Sequence, residues 1–67
     1  LSVYPNPTNG LITIESDLAV EQITLYSADG KLIETTKKQL MLIKEKGVYF
    51  IKIRTEKGII VRRVVVN

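Results

Sequence analysis

The 67 residues contain no cysteine, no histidine and no tryptophan. Without cysteine there is no disulfide and no thiolate nucleophile; without histidine the commonest general base is gone, and the two losses together remove nearly every zinc site. Ser2, Ser16 and Ser27 are left with no base partner other than lysines. Glu15 and Asp17 stand two apart and on a strand would share a face, but calcium asks for about six or more oxygens, so the pair reads as solvated carboxylates at a strand end. The four glycines are scattered singly rather than gathered into a phosphate-cradling loop. No catalytic residue, metal ligand or cofactor is therefore expected, and the chain reads as a non-enzyme.

Long apolar runs are also missing. Runs such as Gly58 to Val61 and Val64 to Val66 fall far below the roughly 20 residues of a membrane-spanning helix, so no membrane insertion is expected. The chain opens at Leu1 with neither a basic n-region nor an apolar h-region, and residues 1–67 read as one domain cut from something larger. Lack of cysteine says nothing about compartment, because many exported bacterial proteins have no disulfide. A chain of this size hides only about 60% of its unfolded surface. Ordering it costs roughly 1.5 kcal/mol per residue, which the apolar side chains, 45% of the total, must offset without a covalent staple.

The net charge of +3 is unevenly spread. Residues 1–35 hold one base and five acids, and residues 36–67 hold nine bases and two acids. The basic second half is either a face for an anionic partner or a solvated face that keeps a small domain soluble.

Apolar residues recur with period two, and β-branched types dominate. The pattern predicts strands at Leu1 to Tyr4, Leu11 to Glu15, Val20 to Ser27, Lys31 to Thr35, Leu40 to Ile43, Val48 to Thr55 and Ile59 to Val66, an all-β antiparallel sandwich. Ser27-Ala28-Asp29-Gly30, Lys44-Glu45-Lys46-Gly47 and Thr55-Glu56-Lys57-Gly58 each place glycine last, as in a three-residue hairpin loop with a G1 bulge. A loop of that length at residues 56–58 sets Ile53 opposite Val61 and Tyr49 opposite Val65, with Tyr49, Ile51, Ile53, Val61 and Val65 inside. A bulge near Arg62 and Arg63 would flip part of this register. Thr36-Lys37-Lys38-Gln39 lacks strand character and is expected to cross between sheets.

Three stretches stand out. In Val3-Tyr4-Pro5-Asn6-Pro7-Thr8-Asn9-Gly10 the two prolines withhold ladder N–H groups and Asn9-Gly10 reverses the chain. This predicts a rigid exposed elbow with free carbonyls, serving either to meet a partner or to staple the first strand down. Gly47-Val48-Tyr49 ends a turn and delivers a tyrosine whose hydroxyl needs a partner if buried, a structural role more than a recognition one. The expected register sets Lys52 across from Arg62, with Arg54 and Arg63 nearby; like charges so placed cost stability. They are kept either for a partner's anions or to guard an edge strand.

Base-stacking platforms for nucleic acid need exposed aromatics, and only Tyr4, Tyr26, Tyr49 and Phe50 are present. No nucleic-acid partner is expected. A β-sandwich adhesion or carbohydrate-binding module on an extracellular enzyme remains an alternative, although a row of exposed rings is not evident.

Taken in order, Tyr4-Pro5-Asn6-Pro7-Thr8-Asn9-Gly10, Ile23 to Tyr26 leading into Asp29-Gly30-Lys31, Gly47-Val48-Tyr49 with Ile51-Lys52-Ile53, and a closing Arg62-Arg63-Val64-Val65-Val66 resemble the type A C-terminal sorting domain of the bacterial type IX secretion system. The resemblance covers the whole chain, with arginine where the family more usually closes on lysine. It implies an immunoglobulin-like sandwich of about seven strands at the end of a secreted protein. Such a cargo reaches the periplasm by a separate signal and then crosses the outer membrane to the cell surface or beyond. The implied partners are a translocon, a shuttle and a sortase that removes the domain, with the isolated domain monomeric. Pro5, Asn6, Pro7, Gly10, Gly30, Lys31, Gly47, Tyr49, Lys52, Arg62 and Arg63 are the positions that match the family's motifs.

Overall fold

The computed structural model describes all residues, Leu1–Asn67. It has no helix and seven strands: β1 (Ser2–Tyr4), β2 (Leu11–Glu15), β3 (Val20–Ser27), β4 (Leu32–Thr36), β5 (Leu40–Leu42), β6 (Gly47–Thr55) and β7 (Gly58–Val66). They form two antiparallel sheets, β1-β2-β5 and β4-β3-β6-β7. This is the immunoglobulin-like strand order with the fourth strand carried on the second sheet. Residues 37–39 carry the chain from one sheet to the other, as expected, while Thr36 ends β4. Gln39 then locks the arrival: its carbonyl accepts from the Ile14 N–H at 2.8 Å, and its side-chain amide donates to the Ile14 carbonyl at 2.9 Å.

Alternation builds the core. Along β2, Ile12 and Ile14 turn inward while Leu11 and Glu15 face water; along β6, Tyr49, Ile51, Ile53 and Thr55 are buried between exposed or half-buried neighbours. Met41 from the first sheet, and Ile23, Leu25, Val64 and Val66 from the second, complete the layer together with Ile43 just past β5. Each such side chain contributes about 1.5–3 kcal/mol on burial.

The last hairpin corrects the expected register by one residue. Thr55 pairs with Gly58, so the loop is the two residues Glu56 and Lys57, and Tyr49 faces Val64 while Ile53 faces Ile60. Val64 and Val66 are therefore core residues, whereas Val61 is exposed and Val65 half-buried on the outer face. The expected Lys52–Arg62 opposition does not occur: Lys52 faces Val61, Ile51 faces Arg62 and Phe50 faces Arg63. The strand itself has no bulge, so the whole shift originates in the shorter loop. Of the three glycine-ended turns, only Ser27 to Lys31 forms the three-residue hairpin loop; the one ending at Gly47 joins strands of different sheets.

The two registers make opposite predictions for neighbouring valines. Val64→Asp places an unpartnered carboxylate in the core, which costs more than a margin of about 5 kcal/mol, and should abolish folding. Val65→Asp should leave a folded domain. Circular dichroism with urea titration checks this; the reverse order would restore the three-residue loop.

Candidate recognition site

The elbow is built onto the last strand. Pro5, Asn6 and Pro7 are exposed, and the peptide bonds preceding both prolines are cis. The Asn6 carboxamide lies along the outer edge of β7, donating through Nδ2 to the Arg63 carbonyl at 2.7 Å and accepting from the Val65 N–H through Oδ1 at 3.0 Å. Thr8 continues this pairing: its N–H donates to the Val65 carbonyl and its carbonyl accepts from the Asn67 N–H, both at 2.9 Å. The β1–β2 pairing breaks off at Tyr4, as the prolines imply, and the chain then meets the last strand through an isolated parallel bridge from Thr8 to Val66. The Thr8 carbonyl, expected to be free, is taken by Asn67.

Thr8 was not singled out by its sequence context, yet it is 3% exposed and closes the loop from within. Its hydroxyl donates to the Leu11 carbonyl at 2.6 Å and accepts from the Gly10 N–H at 3.0 Å. Gly10 is buried against the other sheet, its carbonyl accepting from the Ile43 N–H at 2.8 Å. Its φ is +132° and a Cβ would stand 2.7 Å from the Ile43 carbonyl oxygen, so both backbone and space demand glycine.

Two other turns, those ending at Gly30 and Gly47, lie at the same end of the sandwich, while the β6–β7 turn lies at the opposite end. Gly47 pairs with Val66, the residue bridged to Thr8, and Ser27 pairs with Tyr49. In the Ser27 to Lys31 loop the Gly30 N–H donates to the Ser27 carbonyl, and the Ser27 N–H to that of Lys31, both at 2.9 Å. The Ser27 hydroxyl donates to the Asp29 carboxylate, and this bond, helped by backbone N–H groups, holds the Asp29 carboxyl below the usual carboxylate range. Tyr49 is buried, and its hydroxyl donates to the Glu45 carbonyl at 2.7 Å, pinning the β5–β6 connection. Lys31 and Tyr49 also line an open groove of about 570 Å³ between β4 and the segment from Leu42 to Glu45.

Lys52, Arg62 and Arg63 fall elsewhere, on mid-strand positions of β6 and β7. Lys52 and Arg63 share the outer face of the second sheet as diagonal neighbours across the ladder, while Arg62 projects on the other side, beyond the cover of the three-stranded sheet. The Lys52 ammonium lies 5.5 Å from the centre of the Tyr26 ring, within cation–π range. Arg54 pairs with Glu21 at 3.4 Å, the sole ion pair. Two of the aromatic rings, Tyr26 and Phe50, are a half-buried cross-strand pair on the outer face of the second sheet, while Tyr4 lies on the outer face of the first and Tyr49 in the core.

A small β-sandwich of immunoglobulin-like strand order, with its elbow, two of its turns and the end of its final strand gathered at one end, is thus the class that the fold defines. The family model described as the secretion system C-terminal sorting domain matches residues 2–67. The chain belongs to that family and is a type IX secretion C-terminal sorting signal. Such a signal implies interaction with the type IX secretion machinery and export to the cell surface or outside, and the family is in general non-catalytic. No curated protein matches the chain.

Gly10→Ala tests the elbow's fit. Strain at positive φ costs about 1–3 kcal/mol, and the approach to the Ile43 carbonyl adds to it, so urea unfolding should show a loss of at least that size. An unchanged midpoint would mean that the elbow does not press against the first sheet.

Proposed function

We propose that residues 1–67 act as a non-catalytic handle at the end of a larger secreted protein, engaged by the outer-membrane translocon and its shuttle and then cut away by a surface sortase. The cargo would enter the periplasm by its own signal, cross the outer membrane under the direction of this domain, and remain at the surface or be released. The observation that carries this reading is the family match over residues 2–67. The fold supports it in a physical way. A handle that is passed between partners benefits from a preformed shape, since a pre-ordered surface binds with less entropic cost than a mobile one. The side-chain and backbone bonds of Asn6 and Thr8 supply that order at the elbow. A sugar-binding module, by contrast, would ask for a row of exposed rings on one open face, whereas only the half-buried pair Tyr26 and Phe50 shares a face here.

The test is a fusion of residues 1–67 to the C-terminus of a signal-peptide-bearing reporter in cells that have this machinery. The reporter should reach the surface or medium and, once processed, be shorter by at least the 7.6 kDa of the domain. Reporter held in the periplasm contradicts the sorting role; exported reporter of full length contradicts removal by a sortase.

A further inference from the structure

The outer face of the second sheet combines two features that edge protection or solubility alone would not require together. Lys52 and Arg63 are diagonal neighbours of like charge, a separation that long side chains can span, and no carboxylate lies within ion-pairing distance of either. Around them the face leaves aliphatic surface uncovered, with Ile59 at 59% and Val61 at 53% exposure. Charges placed only to repel other strand edges would not need exposed isoleucine and valine on the same face, and exposed aliphatics alone would not need paired cations. The outer face of the first sheet differs: Leu11, Leu40 and Leu42 are exposed there, but it has no cation and nothing shows what covers it.

We infer that the β6–β7 outer face is the surface by which this domain docks onto an acidic protein surface of the secretion machinery, with Lys52 and Arg63 meeting carboxylates and Ile59 and Val61 meeting apolar side chains between them. This rests on the sorting role and names the side of the domain that the machinery holds. Arg62, on the other side of the sheet, lies outside this contact. A protein is favoured over an anionic bilayer by number and by shape. Clusters of about four to eight basic residues hold chains to anionic lipid, and this face has two unpaired cations on a rigid sheet, a fixed spacing suited to fixed partner groups. Lys52 is held in place by the Tyr26 ring, so less side-chain freedom is lost on contact. The molecule's broad side is 30 × 22 Å, which limits the interface to the small class near about 1,200 Å² in total. Contacts of that size form and release readily, as a transferred signal requires.

The reporter fusion, carrying Lys52→Glu with Arg63→Glu, should lose at least about tenfold of its export, the scale of two charge pairs reversed in an interface. Lys37→Glu with Lys38→Glu makes the same change in net charge at the inter-sheet crossover and should stay within about twofold of the unaltered fusion, as exposed charges far from a contact do. Equal export of the two double variants overturns the inference. Retention of the unaltered fusion in the periplasm instead sinks the sorting role, and the inference with it. Because charge reversal could also unfold the domain, a photo-crosslinking residue at Val61 gives a second reading in living cells. An adduct mapping to an acidic peptide of a secretion-machinery protein supports the contact. Adducts to lipid, or machinery adducts formed from Leu42 but not from Val61, overturn it.

Discussion

The last strand is held from both sides, and the rest of the domain depends on it. On one edge β7 runs antiparallel to β6 from Gly58 to Val66; on the other, Asn6 and Thr8 take up the carbonyls of Arg63 and Val65 and the N–H groups of Val65 and Asn67. Those four bonds replace a neighbouring strand. They also join the two ends of the chain, so that Val64 and Val66 are seated in the core as the elbow closes. In a domain with no disulfide, this is how the terminal strand of a four-stranded sheet avoids fraying.

The same clip orders the surface. Because Thr8 is bridged to Val66, and Val66 pairs with Gly47, the elbow, the chain end and the turn before β6 meet at one end. Tyr49 secures that turn through the Glu45 carbonyl, and Gly10 presses the elbow onto Ile43. Several motif positions that look scattered in the sequence therefore lie toward one end, where Asn6, Gly10 and Tyr49 bond to backbone groups of other segments. Lys52 and Arg63 differ in kind: their charged groups face outward from regular strands and neither has a carboxylate partner, Lys52 meeting only the Tyr26 ring.

Much of this was legible from alternation. In β6 the charged Lys52 and Arg54 alternate with Ile51 and Ile53, which fixes the phase of the strand, so the inward face could be read directly. In β7 it could not, because Ile59 to Val61 and Val64 to Val66 are apolar at both parities and the pattern has no phase. Phase then rested on loop length, and a loop of two residues in place of three turned every side chain over. The loops themselves show why local chemistry was insufficient. Ser27 to Gly30 and Lys44 to Gly47 have the same glycine-ended form, but one closes a hairpin and the other passes between sheets, a difference decided by which strands pair. The Asn6 clip was hidden for a similar reason, since its two partners lie 57 and 59 residues away.

Amide hydrogen exchange at Val65 and Asn67 addresses the clip directly. By the alternation of an antiparallel ladder, the Val61 N–H points away from β6 just as that of Val65 does, which makes it an internal reference for an open edge. If Asn6 and Thr8 seal the strand, Val65 and Asn67 will exchange as slowly as core amides such as that of Ile53, only through global unfolding. Exchange at Val65 and Asn67 as fast as at Val61 would contradict the account.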